Sequence, residues 1–169
     1  MASIIVLAMH GAPPNDFPRQ ETAEFFGLHG RMAHATGAQR QALGQRYNEL
    51  HVKMRTWPRT AENDPFYAAS LEMAEYLSQA TGREVIVGFG EFCGPTLDEA
   101  FDQAVAKEAE SIMVITPMMT RGGEHAERDI PATIERAKKR HPTIPMAYAW
   151  PFRLAEVARF LAAQIEAGT

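Results

Sequence analysis

The stretch from Ile112 to Pro131, I-M-V-I-T-P-M-M-T-R-G-G-E-H-A-E-R-D-I-P, constrains the fold more than any other part of the chain. It opens on a short apolar, partly β-branched run, Ile112 to Ile115, which Pro117 closes. That pattern predicts a buried strand. Thr120-Arg121-Gly122-Gly123 reads as a loop, because paired glycines reach backbone angles closed to other residues. A helical pattern follows, with Glu124, Glu127 and Asp129 at its start and Lys138, Lys139 and Arg140 at its end. A helix dipole favours that charge order. His125 therefore stands where a strand's C-terminal end hands over to a helix, the edge at which open α/β sheets bind ligands.

The same unit recurs along the chain. Ser3 to Met9 is a continuous apolar strand, and His10-Gly11-Ala12-Pro13-Pro14-Asn15-Asp16 is a loop full of helix breakers. Two helical stretches lie between Glu21 and Met54, broken by Gly27, Gly30 and Gly37. Pro65 opens a helix that Gly82 ends, and Val85 to Phe89 is a second strand. Thr96 with Glu99 makes a capping box for a helix to about Glu110. Met146 to Ala149 is a fourth strand and Phe152 to Ala167 a closing helix. The reading is one α/β domain over residues 1–169, with residues 17–64 as a helical insertion in the first crossover. It predicts a four-stranded parallel sheet, order 2-1-3-4, with helices on both faces.

That strand order brings three loops to one edge of the sheet, carrying His10, Glu91 and His125. Imidazoles and a carboxylate suit a first-row divalent metal or a proton transfer. Met118 and Met119 follow Pro117 into the loop and can floor an apolar pocket. Gly122 and Gly123 let the backbone approach a flat ligand. Between Phe17 and Thr60 seven Lys/Arg face three Asp/Glu, so the segment is +4 in a chain of net charge −4. A basic segment on an acidic body points to an anionic small molecule, with Arg121, Arg31 and Arg46 as candidate anchors. His29 and His34, five apart in a glycine-broken helix, read as surface residues; His51 and His141 read as solvated. The single cysteine, Cys93, excludes an internal disulfide and a four-cysteine iron–sulfur cluster, and reads as a small buried residue. The apolar run at Ile4–Met9 is too short to span a bilayer. A cytoplasmic protein with no membrane span and no nucleic-acid partner is expected.

The residues also resemble a family. M-H-G (9–11), G-F-G-E-F (88–92) before P-T-L-D-E-A-F (95–101), and P-M-M-T-R-G-G-E-H-A-E-R-D-I-P (117–131) are similar to the class II tetrapyrrole metal chelatases. Within them the chain most resembles the short, single-lobe sirohydrochlorin cobalt or iron chelatases. Its first crossover (E-F-F-G-L-H-G-R, 24–31, with Q-A-L-G-Q-R-Y-N-E-L, 41–50) and Ala12-Pro13-Pro14 are closer to protoporphyrin ferrochelatases. The resemblance implies a chelatase-like lobe, with His10 and His125 as metal-handling residues and Glu91 as an active-site acid. It implies a divalent metal as substrate (cobalt or iron, with nickel or zinc accepted in vitro), a tetrapyrrole partner and no organic cofactor. Because the family's cleft lies between two lobes and this chain encodes one, a homodimer is expected.

Overall fold

β1 (Ser3–Met9) is apolar from Ile4 onward and its five central residues are buried, so it lies inside the sheet with a layer on each face. It pairs in parallel with β2 (Val85–Phe89) on one side and β3 (Ser111–Ile115) on the other, and β3 pairs with β4 (Met146–Tyr148). The order β2-β1-β3-β4 is the expected one, with its switch point between β1 and β3. The computed structural model describes residues 3–32 and 34–168; the His29 side chain lies outside the described residues.

Of the six α-helices among the described residues, α1 (Arg19–Met32) and α2 (Gly37–Arg55) form the insertion, and α3 (Pro65–Thr81) completes the first crossover. α4 (Leu97–Ala106) and α5 (Ile130–Arg140) cover one face of the sheet, where Val6, Ile112 and Val114 meet Ala100, Phe101 and Ile134. Gly88 makes the α4 contact possible: a Cβ there would lie 2.8 Å from Ala100 Cβ and 2.9 Å from Leu97 Cα. α3 covers β1 and β2 on the opposite face, through Ala74 against Leu7, Val87 and Phe89. α6 (Leu154–Ala167) closes the chain. α1 and α2 pack on each other around their own small core of Phe17, Phe25, Leu28, Leu50 and Met54, which Phe92 joins from the loop after β2. No helix among the described residues is long and apolar enough to cross a membrane.

α4 begins as expected. The Thr96 hydroxyl accepts from the Glu99 N–H (3.2 Å) and the Glu99 carboxylate accepts from the Thr96 N–H (2.7 Å). Thr96→Ala is expected to cost about 1 kcal/mol, a fall in melting temperature of roughly 2–4 °C for a chain of this size. Thermal unfolding followed by circular dichroism checks it, and an unchanged midpoint would count against the cap. The end of α4 differs from the expectation: it stops at Ala106 because Glu108 takes a left-handed φ of 60°. β4 likewise ends at Tyr148, one residue early.

The helix after β3 also starts differently. His125–Asp129 is a wide π-wound turn, closed by the Ile130 N–H donating to the His125 carbonyl, and α-helical winding begins only at Ile130. Pro131 has no N–H to donate to the Glu127 carbonyl and would crowd it in a regular helix. The wider turn absorbs that conflict at a position from which His125 faces the sheet edge.

Candidate active site

The pairing of β1 with β2 continues past both strands. Gly90 N–H donates to the Met9 carbonyl and Glu91 N–H to the His10 carbonyl, both at 2.8 Å. The loops bearing His10 and Glu91 therefore run side by side. Gly11 permits this approach: its φ is +100°, and a Cβ would lie 2.0 Å from the Glu91 carbonyl oxygen. No other residue fits there.

Across the switch point the rings of His10 and His125 meet edge to face, their Nε2 atoms 3.1 Å apart. Glu91 Oε2 lies 3.7 Å from His10 Nε2. The remaining ring nitrogens fix the tautomers. His10 Nδ1 is 2.9 Å from the Gly11 carbonyl and His125 Nδ1 is 2.8 Å from an Asp129 carboxylate oxygen. Both neighbours only accept, so each Nδ1 carries the hydrogen. In neutral rings both Nε2 atoms then carry lone pairs, 3.1 Å apart. Such a pair is satisfied by one shared proton or by one cation. Two nitrogens about 2.1 Å from an ion, at this separation, subtend roughly a right angle at it, which common metal geometries accept. Among the described residues no group of three or more His, Cys, Asp or Glu forms a ready-made metal cage. The arrangement is an open pair of imidazoles with a carboxylate beside it.

Two contributors are less legible in the sequence. Asp129 is four residues after His125, a spacing that places both on one helical face, yet it also reads as a dipole-favoured acid. Arg59 has no signal at all. Its side chain is 5% exposed, and its guanidinium pairs with the buried Asp64 carboxylate and donates to the carbonyls of Ala12 (2.7 Å), Met54 (2.9 Å) and Phe92 (2.6 Å). One side chain thus ties the His10 loop and the Glu91 loop to the helical insertion. Asp64 also caps α3, accepting from the Tyr67 N–H. Phe92, held by this clamp, adopts φ +57°, a strained angle for an aromatic residue.

The histidines, Glu91, Asp129 and Met118 line a cavity of about 390 Å³ between the sheet edge, α4 and α5. Glu91 also borders a second cavity of about 280 Å³, lined by Phe25, Phe26, Tyr47, His51 and Phe92 of the insertion and its neighbouring loop. His51 is therefore half-buried rather than solvated, and its burial holds its pKa below the usual value. His141 lies 2.7 Å from Asp102. Met119 points elsewhere, towards Phe152 and Val157 at the start of α6. Arg121, Gly122 and Gly123 form an exposed loop between Met118 and His125, and Gly122 takes φ +90°.

The basic insertion is less available to an anion than its charge suggests. Arg46 makes a two-pronged contact with Glu24 and reaches Glu49; Lys53 pairs with Glu21, Arg55 with Glu99, and Arg59 with Asp64. Arg31 lines a separate surface concavity with Gly27 and Gly30. The structure thus brings His10, Glu91, His125 and Met118 together, with Gly11 at their back, and leaves Arg31 and Met119 outside that group. Cys93 is buried, which pushes its thiol pKa up to about 11.

Known proteins resemble parts of this chain. A sirohydrochlorin ferrochelatase of Priestia megaterium is 30% identical over 70 residues, 41% of this chain and 26% of that protein. A sirohydrochlorin cobaltochelatase of the same organism is 36% identical over 70 residues, 41% of this chain and 22% of that one. The sirohydrochlorin cobaltochelatase of Saccharolobus solfataricus is 44% identical over 61 residues, 36% of this chain and 46% of that protein. The chain thus matches less than half the length of these curated relatives. Among solved structures, a putative cobalamin biosynthesis CbiX protein of Marinobacter aquaeolei aligns over 99% of both chains at 18% identity, with a TM-score of 0.48. The sequence model of the CbiX family matches residues 61–165, a span that includes Glu91, His125 and Asp129. That is more than half of the chain, and the protein belongs to the CbiX family.

Proposed function

We propose that this site inserts a divalent metal, cobalt or iron, into a tetrapyrrole, with sirohydrochlorin as the ring. The observation that carries the reading is the meeting of two imidazole nitrogens, from two separate loops, 3.1 Å apart at the sheet edge. Family membership and the activities named for the relatives support it.

Metallation replaces two pyrrole N–H protons by one divalent ion. His10 and His125 hold the ion through Nε2, and the open set leaves positions for water and then for ring nitrogens. Glu91, beside His10 and lining both cavities, takes up the two released protons in turn and passes each to solvent. Asp129 holds the His125 ring in its metal-binding tautomer. Met118 supports the apolar body of the ring, and Arg121 on the Gly122–Gly123 loop meets one of its carboxylates. No organic cofactor and no nucleic acid takes part. The 390 Å³ cavity holds only part of such a ring; in the cytoplasmic homodimer a second copy shields the remainder.

The paired cations and the aromatic cavity favour one alternative, a ring with fewer carboxylates such as protoporphyrin. Anaerobic incubation with Co²⁺ or Fe²⁺ and either ring, followed by visible spectroscopy, decides between them. Repeated turnover on sirohydrochlorin is expected. Turnover on protoporphyrin alone would replace the substrate, and stoichiometric binding without turnover would make the protein a carrier.

Asp129→Asn is expected to lower cobalt affinity and insertion rate 10–100-fold, the usual cost of losing a histidine's orienting carboxylate. Cobalt titration and the metallation assay check it, and unchanged values would remove Asp129 from the site.

A further inference from the structure

The π-wound turn at His125 leaves one backbone group without its helical partner. In π winding each carbonyl accepts from the N–H five residues on. The His125 carbonyl is served in that way by Ile130. The next carbonyl, that of Ala126, is due the N–H of residue 131, and Pro131 has none. In a regular helix Ile130 would serve Ala126, but its N–H is already given to His125. Ala126 is 0% exposed, so solvent cannot replace the missing donor.

The donor comes from β4. The Tyr148 hydroxyl donates to the Ala126 carbonyl at 3.1 Å, across 22 residues of chain. Tyr148 stands opposite Val114 in the parallel register of β3 and β4, so its side chain shares the face that α4 and α5 cover. It is the last residue of β4, at the same edge of the sheet as the two histidines. Its ring packs against the main core, and Trp150 stacks on it with ring centroids 6.3 Å apart. Burial pushes the phenol pKa up to about 12, which keeps the hydrogen on the oxygen.

The bond matters because of where Ala126 lies. It follows His125 directly and precedes Asp129 by three residues. The tie therefore holds the segment that carries both the imidazole and the carboxylate bonded to it. His125 meets His10 with 3.1 Å between their Nε2 atoms, a contact that a small shift of the turn would open. We propose that Tyr148 is a positioning residue for the His10–His125 pair: its hydroxyl replaces the N–H that Pro131 lacks and holds the turn in the winding that brings His125 to His10. Its part in metal insertion rests on the reading above, whereas the tie itself is a property of the metal-free protein.

Tyr148→Phe keeps the ring and removes only the hydroxyl. Pro131→Ala returns an N–H at residue 131, which can serve Ala126 without help from β4. The two changes should therefore be coupled. In the full chain, free of metal and at alkaline pH where imidazoles are neutral, NMR should show a through-space cross-peak between the His10 and His125 rings. Tyr148→Phe is expected to weaken that cross-peak severalfold in the native chain and to change it much less in Pro131→Ala. Cobalt affinity should follow, falling about 10-fold for Tyr148→Phe with Pro131 in place and under about twofold in Pro131→Ala, as for groups that orient a metal's ligands. A phenol that only packs would leave both readouts unchanged, since phenylalanine packs alike, and that result would overturn the proposal. An equal loss in both backgrounds would overturn it too. Should circular dichroism show Tyr148→Phe unfolded, rescue by Pro131→Ala supports the tie and absence of rescue overturns it. The cross-peak is read without metal or tetrapyrrole, so failure of the metallation assay would sink the proposed activity and leave the tie standing.

Discussion

Replacing His10 or His125 by alanine is expected to lower the rate of metal insertion by on the order of 10²–10⁴-fold, the range typical of a positioned acid–base or ligand group. The two variants should behave alike, because the lone pair left behind in either case is a single imidazole that water competes with freely. They should also fold. His10 and His125 side chains are 41% and 39% exposed, and neither belongs to the apolar clusters that hold the sheet. Urea unfolding within about 1 kcal/mol of wild type, the ordinary scatter for exposed substitutions, should accompany the loss of activity. If either variant kept near-wild-type turnover, the two histidines would not share one ion.

The largest effect on stability is expected at Arg59, far from any sequence motif. Arg59→Leu leaves the Asp64 carboxylate, 2% exposed, without its cation. Breaking a buried pair by removing one partner costs about 3–5 kcal/mol. It also frees three main-chain carbonyls from their shared donor. Arg59→Lys should recover little, because an ammonium cannot reproduce the planar fork that reaches four oxygens. The double change Arg59→Leu with Asp64→Asn should regain part of the loss by removing the stranded charge. Denaturant midpoints of the three variants decide the matter; a cost below about 1 kcal/mol for Arg59→Leu, the level of an exposed ion pair, would show that the clamp is not structural. Metallation should fall in Arg59→Leu as well, since the clamp ties the loops that carry His10 and Glu91.

What the sequence revealed follows from what is local in it. Strand order and the convergence of His10, Glu91 and His125 were legible because apolar runs, breakers and the rules for parallel crossovers determine them. The capping box at Thr96 was legible because both partners lie within four residues. The π-wound turn at His125 was not, although its cause, Pro131, is in plain view: a missing N–H says that regular winding fails and not how the chain reroutes. The end of α4 at Glu108 escaped for a similar reason, since a non-glycine residue in the left-handed region leaves no compositional mark. The charge of the insertion misled in a different way. Counting Lys and Arg gave an anion-binding surface, but Arg46, Lys53, Arg55 and Arg59 find carboxylates brought near only by folding. Arg59 is the extreme case, because its partners include backbone oxygens, which no residue pattern encodes.

His10 and His125, from loops 115 residues apart in the chain, are expected to hold one divalent ion together. X-ray absorption at the cobalt edge, on protein loaded anaerobically with less than one equivalent of Co²⁺, reads this directly. Two imidazole nitrogens at about 2.1 Å are expected in wild type, and one in either alanine variant. A cobalt environment with no imidazole, or one unchanged when His10 or His125 is removed, would contradict the account.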